Sequence, residues 1–223
     1  MLSPPQVVGV VGRRNSGKSV FVRDLLFHMP RPELGVVMSF ADDVCHYADL
    51  VAPNCVFDHF APHALESVVA QGRDATVVID DCFGDAGVST CAALRRLFER
   101  DSKGERAHKI SLVFAVAAAL EVDAEFRSKV DFVVVMRESR HEWRRKVHRA
   151  FFTHLDFSQF DDAMQLCDDH DYKCLVLCKK TLGLSYYVSS VDLPSFRIGE
   201  KREEGGKEKE GGKEKGGEKE KEM

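Results

Sequence analysis

The sequence predicts an α/β protein with a mostly parallel central sheet and helices on both faces. Three observations predict it. The stretch Gly12-Arg13-Arg14-Asn15-Ser16-Gly17-Lys18-Ser19 matches the phosphate-loop pattern G-x-x-x-x-G-K-[ST] without a mismatch. A second apolar run, Thr76-Val77-Val78-Ile79, ends in the paired acids Asp80-Asp81. Short β-branched runs alternate with helix-periodic segments along most of the chain, the pattern of βαβ units.

Gln6 to Val11 reads as a buried strand feeding the loop. Lys18 to Met29 reads as a helix with Phe21, Leu25 and Met29 on one stripe and Pro30 as its stop. Phosphate would then meet a helix N-terminus, where unpaired N–H groups and the dipole favour an anion. Gly12 and Gly17 allow the backbone to turn its N–H groups inward. Gly12 to Ser19 is therefore the expected nucleotide-binding segment, with Lys18 on the β- and γ-phosphates and Ser19 on Mg²⁺.

Gly35 to Phe40 is a second strand, Asp42 to Leu50 a short helix or loop, and Cys55 to Asp58 an extended segment. Pro62 to Gln71 is a helix with proline in its first turn. Pro62 also separates His59 from His63, which argues against a shared metal. The strand Thr76 to Asp81 would carry its carboxylates to the sheet edge beside the phosphate loop. There Asp80 is the expected Mg²⁺ carboxylate and Asp81 the group that activates water.

Thr90 to Asp101 has helical spacing, with Leu94, Leu97 and Phe98 inward and Arg95, Arg96 and Arg100 outward. Lys109 to Val116, Asp131 to Met136 and Tyr172 to Cys178 are further strands. From Arg137 to Arg149 the chain is locally basic. As a helix it would bury Trp143, Val147 and Phe151. Arg140, Arg144 and His148 would form one outward row, and Arg145 with Arg149 another. Such a face suits DNA phosphates or a neighbouring subunit, and equally a solvated surface.

The chain of 223 residues carries a formal charge of −4, so any nucleic-acid contact rests on local patches rather than a global basic field. No apolar run nears the roughly 18 residues that cross a bilayer, so no membrane insertion is expected. No signal peptide is read at the N-terminus. The seven cysteines lack C-x-x-C spacing and read as small buried hydrophobes of an intracellular protein. The expected organisation is an ATPase domain over 1–197 and a disordered Lys/Glu/Gly-rich tail over 198–223, too polar to bury a core.

No Asn-Lys-x-Asp guanine reader occurs, which argues against a small GTPase, and no arginine-rich lid marks a nucleotide kinase. The core strand between the Asp-Asp strand and the Asp131 strand fits ATPases that insert a strand beside the phosphate loop. Asn15 to Ser19, Val78 to Asp81, His108 to Phe114 and Phe126 to Val134 follow one another at spacings that resemble the genome-packaging ATPases of large DNA viruses. These belong to the poxvirus-like and giant-virus-like branch of the FtsK–HerA superfamily of P-loop (RecA-like) NTPases. The resemblance runs from about Val7 to Leu193, and Tyr172 to Ser190 looks like the family's closing hairpin.

The resemblance implies an ATP-driven motor that threads double-stranded DNA into a capsid, in the host cytoplasm or viral factory. It implies a homo-oligomeric ring, a capsid or portal partner, and an arginine reaching the neighbour's γ-phosphate. Arg127 is the candidate, with Arg95, Arg96 and Arg100 as competitors. One position departs from the family: the polar sensor after the next strand falls at Ala117, which offers no hydrogen bond, leaving Glu121 or another group to supply one. The alternatives are another enzyme on the same core (a kinase or a helicase-like ATPase) and a nucleotide-binding scaffold with weak or no hydrolysis.

Overall fold

The computed structural model describes residues 5–40, 43–84 and 87–198. The expected tail from 199 onward lies outside them. Eight strands form one sheet in the order β3-β2-β4-β5-β1-β6-β7-β8. They are β1 (Val7–Val11), β2 (Leu34–Ser39), β3 (Val56–Phe57), β4 (Ala75–Asp80), β5 (Ile110–Val116), β6 (Phe132–Met136), β7 (Lys173–Cys178) and β8 (Gly183–Val188). The first six are parallel; β7 pairs antiparallel with β6 on one side and with β8 on the other, and β7 and β8 form the closing hairpin. The inserted strand is β5, lodged between β4 and β1 as its place in the sequence implied.

The helices are α1 (Lys18–His28), α2 (Pro62–Gln71), α3 (Ala92–Leu97), α4 (Ala124–Ser128), α5 (His141–Phe151) and α6 (Phe157–Gln165). Alternation along the buried strands divides the core. Val7 and Val11 join one layer with residues of α2, α3, α5 and α6. Val8 and Val10 join the other with Phe21, Val22 and Leu26 of α1. Period-2 side chains on a sheet covered on both faces require this split.

Three expectations need correction. The helix expected over Thr90 to Asp101 is only Ala92–Leu97, although Leu94, Leu97 and Phe98 are buried as the spacing required. Arg144 does not face outward: its side chain is 5% exposed, and it donates to the Glu138 carbonyl, to Asp161 (3.2 Å) and to Asp168 (3.1 Å). His148 is half-buried, its Nε2 2.8 Å from the Leu155 carbonyl oxygen. The cause is α6, which packs across α5 and, with the segment after it, supplies carboxylates that the local pattern of α5 does not contain.

The packed chain continues through Ile198, one residue beyond the expected domain boundary. Ile198 is buried and donates its N–H to the Leu50 carbonyl (2.7 Å). The hairpin is tied to α1 through Asp24, which accepts from Tyr187 Oη (2.6 Å) and the Ser190 N–H (3.3 Å). Among the described residues no helix is long and apolar enough to cross a membrane.

Candidate nucleotide site

The phosphate loop leaves β1 at Val11, where the Gly12 N–H donates to the Val116 carbonyl at the end of β5 (3.1 Å). A Cβ at Gly12 would stand 2.4 Å from Ser16 Oγ and 2.6 Å from Met136 Cγ, so only glycine fits the turn. Gly17 has φ 93°, a left-handed conformation that glycine adopts without steric cost. Asn15 also has a positive φ, 63°, within the range that asparagine tolerates. No side chain caps α1, so its first N–H groups are left to the loop's contents.

Lys18 and Ser19 open α1 and meet the two acids at the exit of β4. Lys18 Nζ lies 3.1 Å from Asp81 Oδ2, with the lysine side chain only 5% exposed, and 3.4 Å from the Arg13 carbonyl. Ser19 Oγ donates to Asp80 Oδ2 at 3.0 Å. Asp81 takes φ 54°, unusual for a residue other than glycine, and its N–H donates to the Ala115 carbonyl (2.9 Å). Such backbone strain costs on the order of 1–3 kcal/mol and persists where the surroundings enforce it. Here it accompanies a carboxylate held against the lysine. Gly12 to Ser19, Asp80 and Asp81 thus converge at one sheet edge.

Tyr47 was not singled out in the sequence. It is fully buried and donates its hydroxyl to Asp80 Oδ2 at 2.7 Å. Burial pushes its phenol well above the usual range, so it remains a donor. Burial also raises the Asp80 carboxyl; the Tyr47 hydrogen bond opposes this, and the Asp81 charge adds to it. The other oxygen, Asp80 Oδ1, is buried without a partner. A desolvated carboxylate with one free oxygen beside a serine hydroxyl fits a hard divalent cation. Mg²⁺ typically uses one or two protein ligands, with phosphate oxygens and water completing its shell. The described residues contain no separate cluster of three or more metal-binding side chains.

A second side-chain link was equally invisible in the sequence. Arg13 Nε, in the phosphate loop, pairs with the buried Glu138 at 3.3 Å. Glu138 also accepts the Arg140 N–H (2.9 Å), so the loop is braced from the end of β6.

Ala117 follows β5, and its carbonyl accepts from Trp143 Nε1 (3.4 Å). Glu121 is turned back on the Ala118 N–H (3.4 Å) and lines a separate cavity with Phe83, Val88 and Phe126. It is not among the residues around the phosphate-loop cavity, which holds about 240 Å³ between Asn15, Lys18, Ser19, Asp43, Asp81 and Tyr172.

Arg127 lies on α4, half-buried, and donates to the Val122 carbonyl; it does not line the phosphate cavity. Among its competitors Arg95 pairs with Glu125 and Arg100 with Asp131, while Arg96 is exposed.

No protein-family model matches the chain. Two curated viral proteins are similar in sequence. Protein 088R of Invertebrate iridescent virus 3 is 24% identical over 150 residues, covering 62% of this chain and 56% of that protein. Protein 015R of Frog virus 3 is 24% identical over 182 residues, covering 75% of this chain and 55% of its own length. The chain therefore spans about half the length of these relatives. Among solved structures, the genome packaging NTPase B204 from Sulfolobus turreted icosahedral virus 2, in complex with AMPPCP, superposes with a TM-score of 0.59. The two are 11% identical, and the match covers 83% of this chain and 98% of that one. The resemblance carried by the motifs is thus borne out in the fold, which is that of a P-loop NTPase.

Proposed function

We propose that this chain binds and hydrolyses ATP with Mg²⁺ and uses the energy to translocate double-stranded DNA during packaging of a viral genome. The observation that carries the reading is the convergence of Lys18 with Asp81 and of Ser19 with Asp80 on an uncapped helix start. The fold shared with a viral packaging NTPase supports the choice of reaction and of cargo.

Gly12 to Ser19 would cradle the phosphates through backbone N–H groups. Among the described residues lining the phosphate cavity Lys18 is the one lysine, and an arriving γ-phosphate would compete with Asp81 for it. Asp81, freed of the lysine, is then placed to orient water and accept its proton; Asp81 Oδ1 is buried and without a partner. Ser19 and Asp80 would hold Mg²⁺, which when bound neutralises charge on the β- and γ-phosphate oxygens.

Assembly into a homo-oligomeric ring would let an arginine of one subunit complete the neighbour's site. Arg127 is the proposed residue; in this reading it would leave the Val122 carbonyl for the γ-phosphate across the interface. A capsid or portal component would receive the DNA. Arg140, Arg145, Lys146 and Arg149 are exposed on or beside α5 and would contribute a basic face for DNA phosphates.

The test is ATP hydrolysis with and without double-stranded DNA, beside Lys18→Ala and Asp81→Asn. Lys18→Ala is expected to abolish nucleotide binding or turnover. Asp81→Asn should keep binding and lose turnover by at least about 100-fold. Wild-type rates in both variants would refute the reading. A second reading, a nucleotide-dependent scaffold, is favoured by Ala117 and by the turn of Glu121 onto its own backbone. It predicts ATP binding with no phosphate release even when DNA is present.

A further inference from the structure

We infer that the free edge of β8 is a docking surface for a second copy of this chain, whose own β8 pairs with it antiparallel across a two-fold axis at Tyr186. The inference does not rest on the nucleotide reading. A sheet edge presents a row of unpaired N–H and C=O groups, which most proteins blunt with short strands, charges or proline. The two edges of this sheet differ in that respect. At one, β3 is only two residues long. At the other, Gly183-Leu184-Ser185-Tyr186-Tyr187-Val188 runs six residues without a charge or a proline, and all six are exposed.

The hydrogen-bond phase of the hairpin decides which residues face the edge. The Ser189 N–H donates to the Tyr172 carbonyl (3.2 Å), and the register sets Tyr187 against Cys174 and Ser185 against Val176. Hydrogen-bonded pairs alternate along an antiparallel ladder, so Ser185, Tyr187 and Ser189 turn their backbone groups toward β7. Leu184, Tyr186 and Val188 turn theirs outward. Their side chains share one face of the sheet, that of the buried Leu175 and Leu177, yet stay 37%, 40% and 45% exposed. The apolar row and the outward donors and acceptors therefore belong to the same three residues.

A second β8 satisfies both. Centred on Tyr186, antiparallel pairing sets Tyr186 against the partner's Tyr186 and Leu184 against the partner's Val188. Opposed residues of an antiparallel pair share a face, so the apolar row meets its own copy while the outward N–H and C=O groups of all three residues pair. The ends match in charge. Antiparallel pairing carries the hairpin turn, with exposed Lys180, toward the partner's Asp192, and Asp192 is exposed just past β8. The contact is isologous and closes at two copies, which separates it from the head-to-tail contact of a ring.

Sedimentation equilibrium of the full chain without nucleotide tests this in wild type, Tyr186→Lys and Tyr186→Glu, each checked for folding by its thermal transition. Wild type should show a monomer–dimer equilibrium. Each variant sets like charges directly opposite one another across the axis and should weaken association about tenfold or more. Mixed in equal amounts, the two variants should pair again as a heterodimer, because lysine then faces glutamate. Hydrogen exchange gives a reading that needs no variant: the amides of Leu184, Tyr186 and Val188 should exchange more slowly as wild-type concentration rises. A wild type that stays monomeric, dimers that persist in both variants, a mixture that stays monomeric, or exchange at these amides indifferent to concentration would each overturn the pairing.

Discussion

Tyr47 acts on chemistry that belongs to another residue. Its hydroxyl shares Asp80 Oδ2 with Ser19, so the acid keeps one oxygen saturated and presents the other. Tyr47→Phe removes one buried hydrogen bond at nearly constant volume, which typically costs about 1–2 kcal/mol. The variant should unfold at correspondingly lower denaturant and need several-fold more Mg²⁺ to reach half-maximal nucleotide binding. An unchanged Mg²⁺ requirement would mean that Tyr47 serves packing alone. The cysteines differ by environment in the same local way. Burial pushes Cys167 up to about 11 and Cys174 up to about 12, whereas a hydrogen bond with Thr181 lowers Cys178. A raised pKa means less thiolate at a given pH, and thiolate is the reactive form. At pH 8, alkylation should therefore reach Cys178 well before Cys167 or Cys174, with the latter pair labelled only after denaturant unfolds the sheet. Mass spectrometry of peptides from timed labelling would show the order.

Among the elements, the α5–α6 pair shows how a charged side chain becomes interior. Arg144 ties the end of β6, through the Glu138 carbonyl, to Asp161 of α6 and to Asp168 beyond it. Removing one partner of a buried ion pair commonly costs about 3–5 kcal/mol because the other charge is left uncompensated. Asp168 is partly exposed, so water recovers part of that loss. Arg144→Ala should lower stability by roughly 2–3 kcal/mol in urea unfolding. Arg149→Ala, on the exposed side of the same helix, should stay within about 0.5 kcal/mol. On the proposed function, DNA affinity should respond in the opposite sense, weakening for Arg149→Ala.

Across the whole molecule the two ends of the sheet divide the labour. At the amino end, Asp131 accepts the Val7 N–H (2.7 Å) and pairs with Arg106 and Arg100, joining β1, β6 and the segment after α3. At the carboxyl end lie the phosphate loop, Asp80 at the end of β4 and Asp81 just after it. Asp131→Ala should cost about 3 kcal/mol of stability, since Arg106 is left buried and unpaired. Below its unfolding transition the same variant should bind ATP as wild type does, because none of the phosphate-cavity residues touches Asp131. Nucleotide affinity that falls with stability would show that the two ends are coupled.

The sequence by itself determined the parts whose physics is local. Val7 to Val11, the glycines at 12 and 17, Lys18 and Ser19 specify strand, turn and helix start within a few bonds of one another. The apolar run before Asp80, following a phosphate loop, reads as a buried strand with acids at its exit. The inserted β5 followed from the order of strands. What the tertiary structure decided was pairing between distant side chains. Tyr47 sits in a stretch with no periodicity, and nothing near it in the chain marks it as a partner of Asp80. Arg144 fits an outward row by helical spacing alone, and only α6 turns that row into an interior one. Tyr172 reads as the first residue of a strand until β7 folds back antiparallel and lays it on Gly17. Local periodicity fixes which face a residue shares with its neighbours; which other element covers that face depends on contacts that close only when the sheet is assembled.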